Sequence, residues 1–76
     1  MTPRLPRITD KDVIRVLTKK GFSKHHQVGS HAIYRNEDGS RRVVVPVHSG
    51  QIIPPKTLKA ILKDAGISVE EFEEMV

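Results

Sequence analysis

The apolar positions of this chain change period twice. In "DKDVIRVLTKKGF", Val13, Ile14 and Leu17 fall at i, i+1 and i+4 with Val16 beside them, the spacing of one helix face. Thr9 precedes this run as an N-cap, and Asp10 and Asp12 occupy the positive first turn. Lys19 and Lys20 suit the last turn, and Gly21 is the stop, giving a helix of about eleven residues. From Phe22 the helical period is lost. "FSKHHQV" is polar and weakly strand-like, and Gly29-Ser30 breaks it. "HAIYRN" brings the strand formers Ile33 and Tyr34, "EDGS" is a hairpin turn signal with Asp38-Gly39 able to take positive φ, and "RRVVVPV" is β-branched. We expect three short antiparallel strands over roughly 23–28, 31–36 and 41–46, with Pro46 at an end or an edge.

After the loop "HSGQIIPP" the helical period returns. Pro55 suits a first helical position, Leu58, Ile61 and Leu62 share one face, Lys56, Lys59 and Lys63 take the other, and Gly66 ends the run. Ser68 with Glu71 three residues on is a capping-box signature for a short last helix that buries Phe72, with Val76 as a second candidate. The order predicts an α+β fold, α-β-β-β-α plus a short C-terminal helix. Its three-stranded antiparallel sheet carries the helices on one face and leaves the other for solvent or a ligand. One tension remains in this pattern. Strict alternation puts His31 on the face of Ile33 and Arg35, so either the strand bends at Gly29-Ser30 or Tyr34 takes the core position.

Seventy-six residues make one domain, 1–76, and "MTPRLPR", with two prolines and no periodicity, reads as an N-terminal arm over residues 1–8. With no cysteine, neither a disulfide nor a thiolate metal site can supplement a thin core. Thirteen Lys and Arg stand against nine Asp and Glu, and five of the acids lie in the last thirteen residues: Asp64, Glu70, Glu71, Glu73 and Glu74. The first sixty-three residues are therefore strongly positive, which suits either a phosphate-rich partner or a merely solvated surface. No apolar run reaches the roughly 18–20 residues of a membrane span, and the chain lacks a signal-peptide pattern, so a cytoplasmic location is expected.

The four histidines, His25, His26, His31 and His48, do not have metal-site spacing: no pair falls at i, i+4 on a helix. Adjacent on a strand, His25 and His26 point to opposite faces and read as surface residues. His31 follows two residues without bulk, and an imidazole, ordinarily titrating near 6.5, can move a proton at neutral pH. The residues alone leave open a structural and a chemical role. The lysines of "KTLKAILK" are a solvated face or a phosphate-contacting stripe, and Arg41 and Arg42 beside the hairpin favour the second. With only Phe22, Tyr34 and Phe72 as aromatics, a base-stacking platform is poorly supplied, and recognition through backbone and shape fits better.

"KKGF", "GSH" opening a strand, "VVVPVH" closing the next, and "TLKAILKDAGIS" with a phenylalanine soon after follow in order along nearly the whole chain. In this the sequence resembles the HicA (YcfA-like) toxins of bacterial type II toxin–antitoxin systems. The resemblance implies a double-stranded-RNA-binding-like fold, cleavage of mRNA without a metal or other cofactor, and neutralisation by a HicB-type antitoxin that covers the active site. It makes His31, in the Gly-Ser-His motif, the catalytic histidine. His48 also matches the family pattern, with no catalytic role assigned. Ala32 stands where many members carry a second histidine, and Lys56 where a glycine is common, which bears on substrate contacts more than on activity. The expected site is thus His31 for catalysis, with Gly29, Ser30, Arg41, Arg42, His48, Lys56 and Lys59 contacting RNA. The alternatives are an RNA-binding module without catalysis and a decayed toxin that serves mainly as a partner for an antitoxin-like protein.

Overall fold

Thr9 starts the first helix through a reciprocal pair of hydrogen bonds. The Asp12 backbone N–H donates to the Thr9 hydroxyl at 3.4 Å, and the Thr9 N–H donates to the Asp12 carboxylate at 3.0 Å. This is a capping box with Asp12 in the place more often held by Glu or Gln. The Thr9 N–H holds the Asp12 carboxyl below its ordinary value, helped by the Thr9 hydroxyl and by Arg15, whose guanidinium sits 3.1 Å away. The computed structural model describes residues 7–48 and 50–76, so residues 1–6 of the expected arm lie outside the described residues. The elements are α1 (Asp10–Lys19), β1 (Ser23–Val28), β2 (His31–Arg35), β3 (Arg42–Pro46), α2 (Pro55–Ala65) and α3 (Val69–Met75). Asn36 and Arg41, expected at strand ends, instead close the β2–β3 turn, where the Asn36 N–H donates to the Arg41 carbonyl.

The strands form one antiparallel sheet in the order β1-β2-β3. Register settles the tension in the sequence. Ala32 faces Val45 and Tyr34 faces Val43, and all four are buried beneath α1 and α2, which pack on β3. Tyr34 therefore takes the core position, and burial pushes its phenol pKa up. His31, Ile33 and Arg35, opposite Pro46, Val44 and Arg42, line the other, open face. β1 is exposed along all six residues. Its pairing with β2 slips between Lys24 and His26, a bulge that leaves His25 without a partner. The bulge interrupts the simple alternation expected for the two histidines, and it sets His26 opposite Ile33 on the open face.

The core joins these layers through Val13, Val16 and Leu17 of α1, Leu58, Ile61 and Leu62 of α2, and Phe72 of α3, with Phe22 between. Ile8, at the end of the expected arm, belongs to it as well, at 1% exposure. Gly66 ends α2 in the left-handed conformation at φ 74°, with the Ile67 N–H returned to the Leu62 carbonyl. At α3 the Ser68 hydroxyl accepts from the Glu71 N–H at 3.0 Å. The Glu71 carboxylate meets Lys20 Nζ at 2.7 Å, tying α3 to the end of α1. Met75 packs against the core where Val76 was a candidate; Val76 is exposed.

Candidate active site

His31 is the first residue of β2, and its place is set by the two-residue turn that precedes it. Val28 pairs with His31, leaving Gly29 and Ser30 as the hairpin loop. Such loops twist correctly only with positive φ at the first position, and Gly29 has φ 58°. No other group lies within 4 Å of a Cβ built on Gly29, so the backbone angle calls for glycine here, not a crowded neighbour inside the chain. The Ser30 carbonyl accepts from the Val47 N–H at 2.6 Å, which carries the β2–β3 ladder one step past Pro46.

Beyond Pro46 the chain turns back. The His48 carbonyl accepts from the Gln51 N–H at 2.9 Å, and Gly50 holds φ 87° within that turn. Three ties pin the turn and the following residues to the start of α1. The Asp10 carboxylate accepts from the Gly50 N–H at 3.0 Å, Ile53 donates to the Ile8 carbonyl at 2.7 Å, and Thr9 bridges Ile52. Asp10 is only 2% exposed, and this hydrogen bond partners its carboxylate at the positive end of α1. Sequence reading placed Asp10 as a helix-dipole residue and missed this second duty, because its partner lies forty residues away.

These ties shape a cleft of about 540 Å³ lined by His31, Val44, Pro46, His48, Gln51, Ile52, Ile53, Pro54 and Thr57. Its size falls within the range of small-molecule sites. The walls are mostly apolar, and Thr57 in the first turn of α2 is part of the lining. Pro54 is the N-cap of that helix and gives no side-chain cap, so the first free N–H groups present a partial positive charge beside Thr57. The structure thus brings together His31 and His48, which are far apart in sequence. Across the open face, Arg35 stands directly opposite Arg42. Like charges so placed repel. Among the described residues neither guanidinium has an ion pair or hydrogen bond, so the pair offers its charge to an anion. Arg35 was not among the expected contacts, although strict alternation already put it on the face of His31.

The remaining expected contacts are dispersed. Arg41 Nη1 donates to the Asp64 carbonyl at 3.2 Å, and its guanidinium lies over Gly66, 2.7 Å from where a Cβ would sit. This cation serves the C-terminal end of α2. Lys56 and Lys59 are exposed on α2, with Lys56 adjoining the cleft residue Thr57. Among the described residues no three His, Cys, Asp or Glu side chains are grouped to hold a metal ion, and no helix is long and apolar enough to cross a membrane.

Compared with known proteins, residues 11–67 match the family model described as the HicA toxin of bacterial toxin–antitoxin systems. No curated protein matches the chain. The matched span runs from α1 to just past Gly66 and so contains both histidines, both open-face arginines and the whole cleft.

Proposed function

The chain belongs to the HicA toxin family of bacterial toxin–antitoxin systems, and from that premise we propose that it is an endoribonuclease that cuts mRNA. One observation carries the reading: an exposed histidine, His31, stands at a cleft on an open sheet face that also presents Arg35 and Arg42, two cations with no ion pair among the described residues. RNA supplies its own nucleophile in the 2′-hydroxyl, so a positioned imidazole suffices to start the reaction without a metal. His31 takes the proton of that hydroxyl or gives one to the departing 5′-oxygen. Either role is worth roughly 10²–10⁴-fold in rate, about 3–5 kcal/mol. DNA, lacking the hydroxyl, is spared.

Arg42 and Arg35 grip phosphates about 13 Å along the strand from His31, at roughly 3.3 Å per residue. Lys56 and Lys59 extend the positive surface past the cleft mouth. Gly29 and Ser30 present the turn backbone to the same strand of RNA, and Arg41 contributes through the end of α2 that it holds. A toxin of this kind works in the cytoplasm, where messages are. The family implies an antitoxin partner, and we assign that role to a HicB-type protein covering the cleft.

The test is His31→Ala. His31 is exposed, so the variant keeps the fold by circular dichroism and still binds RNA, but it loses cleavage in chelator-containing buffer and no longer arrests growth. Full activity in the folded variant refutes the assignment. RNA binding by the wild type with no cleavage selects instead the non-catalytic RNA-binding module.

A further inference from the structure

We propose that His48 is a second catalytic residue, supplying the proton transfer that His31 does not. The inference rests on the ribonuclease reading above and adds to it. Breaking the RNA chain through the 2′-hydroxyl needs two proton transfers at opposite ends of one phosphate. A base removes the 2′-hydroxyl proton as that oxygen bonds to phosphorus, and an acid protonates the 5′-oxygen as its bond to phosphorus breaks with the electron pair. One proton is taken up and one released, leaving a 2′,3′-cyclic phosphate and a 5′-hydroxyl with no water consumed.

Among the described residues lining the cleft, His31 and His48 are the two with side chains able both to give and to take a proton; the others are Val, Pro, Ile, Gln and Thr. Their spacing follows from the ladder. Pro46 lies directly opposite His31, and the Val47 N–H to Ser30 carbonyl bond continues the pairing, so His48, two residues past Pro46, falls on the open face with His31. Both imidazoles border one cleft of about 540 Å³, which has room for a phosphate. Burial agrees: Val47 packs against the core, and His48, next along the chain, is exposed.

His48 is also held. Its carbonyl is fixed by the Gln51 N–H, and the same turn is anchored by the buried carboxylate of Asp10 through Gly50.

The experiment uses the full chain, His31→Ala, His48→Ala and two RNA substrates of one sequence. One is ordinary; the other has sulfur in place of the bridging 5′-oxygen at the cleavage site. A thiolate leaves without protonation, so the sulfur substrate restores a variant lacking the acid and not one lacking the base. The proposal expects His48→Ala to lose about 10²–10⁴-fold in the rate at saturating ordinary RNA, a loss larger than any weakening of RNA binding, with circular dichroism unchanged. It also expects one of the two variants, and not both, to return to near wild-type rate on the sulfur substrate. The variant that is restored identifies the acid. In the pH–rate profile, the bell of the wild type loses one limb in His48→Ala. Cleavage by His48→Ala within a few-fold of wild type, with His31→Ala inactive, overturns this proposal and leaves the ribonuclease reading standing. Loss of activity in both variants with neither restored by sulfur overturns it too. Intact ordinary RNA after incubation with wild type refutes the ribonuclease reading itself, and this inference falls with it.

Discussion

Replacing Asp10 with alanine removes the acceptor of the Gly50 N–H and the charge at the start of α1. A hydrogen bond to a charged acceptor contributes about 1.5–3 kcal/mol net, and a carboxylate in the first turn of a helix a further 0.3–1. Gly50 is exposed and its freed N–H can turn to water, which keeps the cost toward the lower half, about 2–3 kcal/mol. Against a total stability of about 4–11 kcal/mol for a chain of this length, that is a large fraction. With a urea slope near 1 kcal/mol per molar, suited to a small domain, the unfolding midpoint falls by about 2–3 M. Asp10→Asn keeps an oxygen acceptor but loses the charge, which lowers the bond to the roughly 0.5–1.5 kcal/mol of a neutral one and removes the dipole contribution, so its midpoint falls by about 1–2 M, less than that of Asp10→Ala. The assay is urea unfolding followed by circular dichroism for the three proteins. Equal shifts for Ala and Asn would mean that only the charge matters, and a shift below about 0.5 M for Ala would mean that the tie to Gly50 contributes nothing. Either result refutes the argument.

Three further outcomes are expected. The Asp12 carboxyl is held below 3.8 by the Thr9 N–H, so its contribution is present above the unfolded value and lost as pH falls through the folded one. Wild type should therefore exceed Asp12→Asn by about 1 kcal/mol at pH 7, and the gap should close as urea midpoints are measured below pH 3.8. Gly29→Ala should cost about 1–2 kcal/mol through its positive φ, while Gly29→Asn, whose side chain tolerates that region, recovers most of it in thermal unfolding. Arg35→Ala and Arg42→Ala should each leave stability unchanged or raised, by relieving their mutual repulsion, yet each should weaken RNA binding and lower its salt slope by about 0.7–1.

The helices were legible in the sequence because their signals are local. Thr9, Gly21, Pro55, Gly66 and Ser68 each act within one turn of chain, and each stands where the pattern placed it. Strand faces were less legible, since a shift of one residue exchanges them. Only packing, with Ala32 and Tyr34 set against Val45 and Val43, decides that His31 is outside. The bulge at His25 leaves no local signature in a segment polar on both faces. Site features joined across long stretches of chain were the least legible. His31 meets His48 through the β2–β3 register, Arg41 reaches Asp64 across 23 residues, and Asp10 reaches Gly50 across forty. None of these follows from spacing alone.

The bonds from Ile8, Thr9 and Asp10 to residues 50–53 have a consequence for the order of events as the chain folds. Both hairpins close over a few residues, whereas these bonds close a loop of forty, at an entropic cost of about 3 kcal/mol before the constant term. The wall of the cleft is therefore among the last parts to form. A fragment ending before Gly50 lacks the second wall of the cleft, and with it Leu58, Ile61, Leu62 and Phe72 of the core. Until Gly50 and the residues that follow have joined the fold, His31 has no opposing wall, so the enclosure of the site depends on these long-range ties.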